Sequence, residues 1–188
     1  MNHYFLIRDA VDKTRQDYNR GSLTVIVEDD FLARVYYHLL SSDFEGLSAK
    51  AFIKTRILQD NGRLPKNNKY DLVIGESRII KLGSRPTKDV KPNLVAEFKV
   101  FPVGFSPQQL SKRRKHISDD IEKLAVVASE TKGQKPQLVI VFFDEICWLR
   151  GRNRDSVHTR IDEIKDKRDQ LNEDIRIIGI LEGQLVEE

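Results

Sequence analysis

The segment LVAEFKVF at residues 94–101 most strongly constrains how this chain can fold. Its apolar run predicts a buried strand, yet it carries a carboxylate at Glu97 and an ammonium at Lys99. Side chains two residues apart on a strand point the same way, so both charges share one sheet face. Burying two such charges is costly unless they pair or bind a metal. The segment therefore predicts a sheet with a polar site built into it.

A second acidic residue makes this pattern more specific. Acidic-x-Lys triplets also begin at Asp89, Glu130 and Glu163, so the spacing alone is weak, but only Glu97 lies inside an apolar strand. Asp71 opens the earlier apolar strand YDLVI, and adjacent strands would bring its carboxylate within reach of Glu97. Two carboxylates and a backbone carbonyl suit octahedral Mg²⁺, and a nearby lysine can position or deprotonate a water that attacks phosphorus.

The remaining periodicities predict an α/β layout with one central mixed sheet flanked by helices. A leading helix is predicted over residues 2–19, closed by Gly21 and Ser22, and a core-facing helix from Leu23 to about Leu40. Residues 70–82 predict a strand or bent hairpin with a break at 75–77, followed by a loop over 83–93. The other predicted elements are strands at 51–58, 93–101, 137–143 and 175–181, and helices at 111–130 and 155–171.

The chain's 188 residues are enough for one core and too few for two ordinary domains. We therefore expect a single domain over 1–188. It comprises a leading helix at 1–22, a core at 23–145 and a C-terminal extension at 146–188 that adds a helix and a strand.

Residues 23–145 resemble the PD-(D/E)xK, or restriction-endonuclease-like, nuclease superfamily. The resemblance rests on an acidic first helix, an Asp at a strand start, the Glu-x-Lys strand, a following helix and a further buried strand, with the sequences VEDDFLARVYYHLL, KYDLVIG, LVAEFKV, HISDDIEKLA and QLVIVFFD. It implies that Asp71, Glu97 and the Phe98 carbonyl hold Mg²⁺, for which Mn²⁺ would substitute, while Lys99 acts on the water. The first-helix acid would support a second metal or orient water.

The chain departs from the family pattern at two points. Tyr70 precedes Asp71 where the family often has Pro, and this position is variable. No Gln-x-x-x-Tyr follows the Glu-x-Lys strand, so the exonuclease branch related to the bacterial recombination nucleases is not supported.

Three neighbouring acids compete for the first-helix position. Glu28 precedes Phe31, Leu32 and Val35 at helical spacing, which places it on the core-facing stripe. Asp30 instead points away from that stripe. We therefore expect Glu28 to be the catalytic and metal-binding acid, with Asp29 as the open alternative.

Two basic clusters lie beyond the Glu-x-Lys strand. Such clusters are either ordinary solvated surface or contacts to nucleic acid. Because these two flank a predicted phosphodiesterase site, we expect them to bind phosphate groups. Asp119, Asp120 and Lys123 are expected on the solvent side of the following helix, although Lys123 could turn toward the site. The two clusters are Lys112, Arg113, Arg114 and Lys115, and then Arg150, Arg152 and Arg154.

These features predict a Mg²⁺-dependent endonuclease that hydrolyses DNA. The alternatives are a catalytically silent nucleic-acid-binding or assembly module of the same fold, or an RNA-directed nuclease. Cutting two strands calls for two sites, which is compatible with a homodimer. The single cysteine, Cys147, the absence of an apolar leader and a longest apolar run of only residues 138–143 predict a cytoplasmic protein without a membrane segment.

Overall fold

The computed structural model describes residues 2–42, 50–57, 69–82, 84–131, 133–146, 160–171 and 173–187. Within these ranges the chain forms helices and strands that alternate in the second half. In chain order they are α1 His3–Asn19, α2 Glu28–Leu40, β1 Lys50–Arg56, β2 Lys69–Leu82, β3 Arg85–Phe101, α3 Pro107–Glu130, β4 Gln137–Asp144, α4 Arg160–Gln170, β5 Ile175–Leu181 and β6 Gln184–Glu187.

The strands of the described residues form one six-stranded mixed sheet in the order β1-β2-β3-β4-β5-β6. β1, β2 and β3 are an antiparallel meander, whereas β3, β4 and β5 run parallel and β6 returns antiparallel. Parallel neighbours need a crossover, which α3 supplies between β3 and β4 and α4 between β4 and β5. The predicted α/β architecture with a central mixed sheet is confirmed.

Each sheet face carries its own apolar layer. Leu94, Ala96 and Phe98 of β3 pack in one cluster with residues of α1 and α2. Val95 and Phe101 pack in the other cluster with residues of α3 and α4. Because side chains alternate along a strand, Glu97 and Lys99 face the α3 layer. α3 is therefore the helix that can complete a site around them.

Local capping explains where the helices on either side of the site begin. Val27 is extended, and the Asp30 carboxylate accepts the backbone N–H groups of Ile26 and Val27 at 3.0 and 2.9 Å, so α2 begins at Glu28. The predicted start at Leu23 is wrong for this reason. Ser106 forms a capping box with Gln109, which begins α3 at Pro107 rather than at 111.

The prediction for residues 75–93 is also wrong in part. β2 continues through the expected break and has only a register shift between Ile74 and Gly75. Most of the expected loop belongs to β3, because Leu82 pairs with Arg85 and the two strands form one long hairpin. β6 was not predicted from the sequence, and residues 155–159 of the predicted last helix lie outside the described residues. None of the described helices is both long and apolar enough to cross a membrane.

Candidate active site

Strand pairing brings Asp71 and Glu97 together. Leu72 of β2 pairs with Ala96 of the antiparallel β3, so the next position along each strand places Asp71 opposite Glu97 on the same sheet face. The Phe98 backbone N–H donates to Asp71 Oδ2 at 2.9 Å, which fixes the orientation of that carboxylate. The exposed fractions are 6% for Asp71 and 2% for Glu97, so both carboxylates are buried.

The Lys99 ammonium lies on the same face and is also buried. Its Nζ donates to the Phe98 carbonyl at 2.7 Å and lies 2.7 Å from Asp120 Oδ2. A second carboxylate, Glu28 Oε2, lies 3.6 Å away. Burial alone would lower the pKa of Lys99, but the charges of Asp120 and Glu28 raise it above its ordinary value. Lys99 is therefore a fixed positive charge at neutral pH.

Asp71 and Glu97 differ in their protonation behaviour. Burial and the negative charge of Asp71 raise the pKa of Glu97 well above its ordinary value, although Lys123 opposes the shift. Burial would also raise the pKa of Asp71, but hydrogen bonds from Lys54, the Phe98 N–H and Glu97 hold it below its ordinary value. In this arrangement Asp71 is the ionised partner and Glu97 retains its proton to higher pH.

Of the three first-helix acids, Glu28 lies deepest in the site. Its side chain is 17% exposed, against 77% for Asp29. Glu28 Oε2 pairs with Arg113 Nη1 at 2.7 Å, whereas Asp29 meets only the rim of the cluster, 3.5 Å from Lys54. Asp30 is engaged in capping α2. The structure therefore brings Glu28, rather than Asp29 or Asp30, next to Lys99.

The helix α3 contributes two charges that the sequence analysis expected on its solvent side. Asp120 pairs with Lys99, so the expectation of a solvent-facing position is wrong for this residue. Lys123 Nζ lies 2.6 Å from Glu97 Oε1, so Lys123 takes the alternative orientation, toward the site. Asp120 follows Ile117 by three residues and precedes Leu124 by four, which places it on the buried stripe of α3. This helical spacing could have identified Asp120 as a site residue from the sequence.

Lys54 is a further residue of the site that was not predicted from the sequence. This lysine of β1 donates to Asp71 Oδ1 at 2.6 Å. Its backbone φ is 46°, in the left-handed region that residues with a Cβ rarely adopt. Neither the pairing of β1 with β2 nor this backbone conformation could be read from the sequence.

The first basic cluster divides between surface and site. Lys112 and Lys115 are exposed, whereas Arg113 is partly buried, pairs with Glu28 and lies over the Phe105 ring at 5.7 Å. The Arg114 side chain lies outside what the structure describes, as do the three arginines of the second cluster, Arg150, Arg152 and Arg154.

Among the described residues, no group of three or more His, Cys, Asp or Glu side chains is arranged to hold a metal ion. The chemistry of the donors nevertheless fits Mg²⁺. Asp71 and Glu97 are close enough for the charge of Asp71 to raise the pKa of Glu97, and Phe98, whose N–H donates to Asp71, offers a backbone carbonyl that accepts from Lys99. Hard oxygen donors of this kind are the ligands that Mg²⁺ takes from proteins.

Comparisons with known proteins bear on the fold. No protein-family model and no curated protein matches the chain. Among solved structures the chain is similar to NucC of P. aeruginosa ATCC27853 in its cAAA-bound form, with a TM-score of 0.52 and 11% sequence identity. The match covers 97% of this chain and 82% of that chain. Together with the mixed sheet and its flanking helices, this similarity shows an α/β fold, and it is consistent with the predicted restriction-endonuclease-like core.

Proposed function

We propose that this protein is a Mg²⁺-dependent endonuclease that hydrolyses phosphodiester bonds in DNA. The observation that carries the proposal is the buried placement of Asp71, Glu97 and Lys99 on one face of β2 and β3. Burying charged groups costs free energy even when they are paired, so three of them together on one sheet face favour a functional role. The nuclease-type fold of the similar structure supports the same reading.

Asp71, Glu97 and the Phe98 carbonyl are the groups that would hold Mg²⁺. Bound there, the cation would lower the pKa of the attacking water and neutralise charge on the phosphate. The Phe98 N–H, 2.9 Å from Asp71 Oδ2, holds the Asp71 carboxylate in place. The rigid pairing of β2 with β3 keeps the two carboxylates opposed, which pre-organises the site.

Lys99 acts in this scheme as a charge rather than as a base. Asp120 at 2.7 Å and Glu28 at 3.6 Å raise its pKa, so the ammonium keeps its proton at neutral pH. A protonated Lys99 can orient the attacking water and stabilise the negative charge that develops on the phosphate oxygens. Asp120 and Glu28 act through Lys99 and position it.

Binding of the nucleic acid would use the exposed lysines of α3. Lys112 and Lys115 lie on the same helix that carries Asp120 and Lys123 into the site. Phosphate contacts of this type do not read bases, so the surface would hold the backbone without selecting a sequence.

The substrate class separates this proposal from its alternatives. Circular single-stranded DNA, circular double-stranded DNA and RNA are incubated with the protein in Mg²⁺, in Mn²⁺ and in chelator. Linearisation of circular DNA that requires a divalent cation supports the endonuclease. Cleavage of RNA alone identifies the RNA-directed alternative, and binding without cleavage identifies the silent binding module.

A further inference from the structure

Each carboxylate of the candidate site is contacted by an ammonium group of the chain. Lys54 Nζ lies 2.6 Å from Asp71 Oδ1, and Lys123 Nζ lies 2.6 Å from Glu97 Oε1. Neither lysine belongs to the acidic-x-Lys strand, since Lys54 lies on β1 and Lys123 on α3. The chain's own cations thus contact one oxygen of each acid that the proposed function assigns to a metal.

The backbone conformation of Lys54 is unusual for a lysine in a strand. Ile53 pairs with Leu72 and Thr55 with Tyr70, which places Lys54 opposite Asp71. Its φ of 46 is strained for a residue with a side chain, and strained residues concentrate at functional sites. Glu28 and Asp29 also lie within 3.9 and 3.5 Å of its Nζ, so the ammonium sits among three carboxylates.

Lys123 is held from several directions. Besides Glu97, its ammonium donates to the Lys69 carbonyl and lies 4.7 Å from the centre of the Tyr70 ring. Lys69 and Tyr70 immediately precede Asp71 on β2. Lys54 and Lys123 therefore converge on the start of the same strand from β1 on one side and α3 on the other.

We infer that Lys54 and Lys123 are built-in counterions that occupy Asp71 and Glu97 before a divalent cation binds, and that leave these carboxylates when it does. The inference rests on the metal site of the proposed function. A divalent cation and an ammonium that compete for the same oxygens repel each other strongly in a buried site. The lysines thus weaken metal binding while keeping the two carboxylates together in the metal-free protein.

Metal binding by the full chain, measured without nucleic acid, tests this inference. Free Mn²⁺ is followed by electron paramagnetic resonance for the wild type, Lys54→Met and Lys123→Met. Removing either ammonium is expected to lower the Kd for Mn²⁺ about tenfold, or about 1.4 kcal/mol. The same variants should melt at lower temperature than the wild type in chelator and show a larger Mn²⁺-induced rise in Tm, since an uncompensated buried carboxylate is costly.

Lys135→Met is the matched control. Lys135 pairs with Glu173 at 3.3 Å, and its side chain is 57% exposed, so its removal should leave the Kd for Mn²⁺ unchanged. Lys54→Asn provides a second variant at the strained position, because Asn tolerates the left-handed backbone conformation and carries no charge. It keeps the test decisive if Lys54→Met does not fold.

The inference and the proposed function fail in different ways. Unchanged or weaker Mn²⁺ binding by the folded Lys54 and Lys123 variants, in a protein whose binding Asp71→Asn abolishes, overturns the inference alone. Mn²⁺ binding that Asp71→Asn and Glu97→Gln leave intact overturns the proposed metal site. Absence of Mn²⁺ binding in the wild type and all lysine variants overturns both.

Discussion

Replacing Glu97 by Gln should stabilise the protein in chelator while abolishing the proposed nuclease activity. Glu97 is 2% exposed, and burial together with the Asp71 charge raises its pKa well above the ordinary value of 4.5. An acid whose pKa is higher in the folded state stabilises the fold below its unfolded pKa. That contribution is lost as pH rises through the folded value. Glutamine keeps the shape of the side chain and never ionises, so the variant does not lose this stability as the pH rises.

The size of the effect depends on two opposing contributions. Ionising a carboxyl group at a buried position is unfavourable, whereas the ion pair with Lys123 at 2.6 Å offsets part of that cost. We expect Glu97→Gln to be more stable than the wild type at pH 8 in chelator by about 1–2 kcal/mol, a typical size for a single substitution. For a chain of this size this is a rise in Tm of about 2–8 °C. The difference should shrink toward pH 4, where both side chains are neutral.

Thermal unfolding followed by circular dichroism between pH 4 and 9 measures this difference. Saturating Mg²⁺ should reverse its sign, because the wild type gains a ligand that the variant binds poorly. A variant that is less stable than the wild type at pH 8 in chelator would refute the reasoning. So would a stability difference that does not change with pH.

Three further predictions concern other parts of the chain. Glu28→Gln should reduce cleavage more than Asp29→Asn, because Glu28 pairs with Arg113 and approaches Lys99, and rates measured on one DNA substrate check this. Gly179→Ala should cost about 1–3 kcal/mol in urea unfolding, because a Cβ would lie 2.5 Å from the Phe142 carbonyl oxygen. Replacing the exposed Lys112 and Lys115 by Ala should flatten the log–log salt dependence of duplex binding by about 2 units, measured in Ca²⁺ or chelator, and an unchanged slope would make them ordinary surface.

The sequence was most informative where burial and charge conflict. Two apolar segments predicted strands of a sheet. Because Glu97 and Lys99 lie inside one of them and Asp71 lies at the start of the other, the sequence also predicted charged side chains on one face of that sheet. The register of β2 against β3 then places Asp71 opposite Glu97. Helical spacing likewise placed Glu28 toward the core, and the structure brings it to Lys99.

What could not be predicted depends on long-range pairing. Lys54 reaches Asp71 because β1 pairs with β2 in one particular register and because its backbone is left-handed, and a single sequence shows neither feature. The residues after Gly83 contain turn-forming types and predicted a loop, but pairing with the end of β2 makes them a strand. Asp120 is different, because its spacing from Ile117 and Leu124 places it on the buried stripe of α3. The sequence was therefore sufficient to predict its position, and the expectation of a solvent-facing side chain was wrong.

Cleavage of circular DNA by variants that match the site acids in shape but lack their charge tests the central claim most directly. Supercoiled DNA is incubated with the wild type, Asp71→Asn, Glu97→Gln and the control Lys135→Met, each in Mg²⁺ and in chelator, with circular dichroism to confirm folding. We predict cleavage by the wild type and the control in Mg²⁺ only, and rates lower by orders of magnitude for both site variants. Cleavage at the wild-type rate by folded Asp71→Asn and Glu97→Gln proteins would contradict the account.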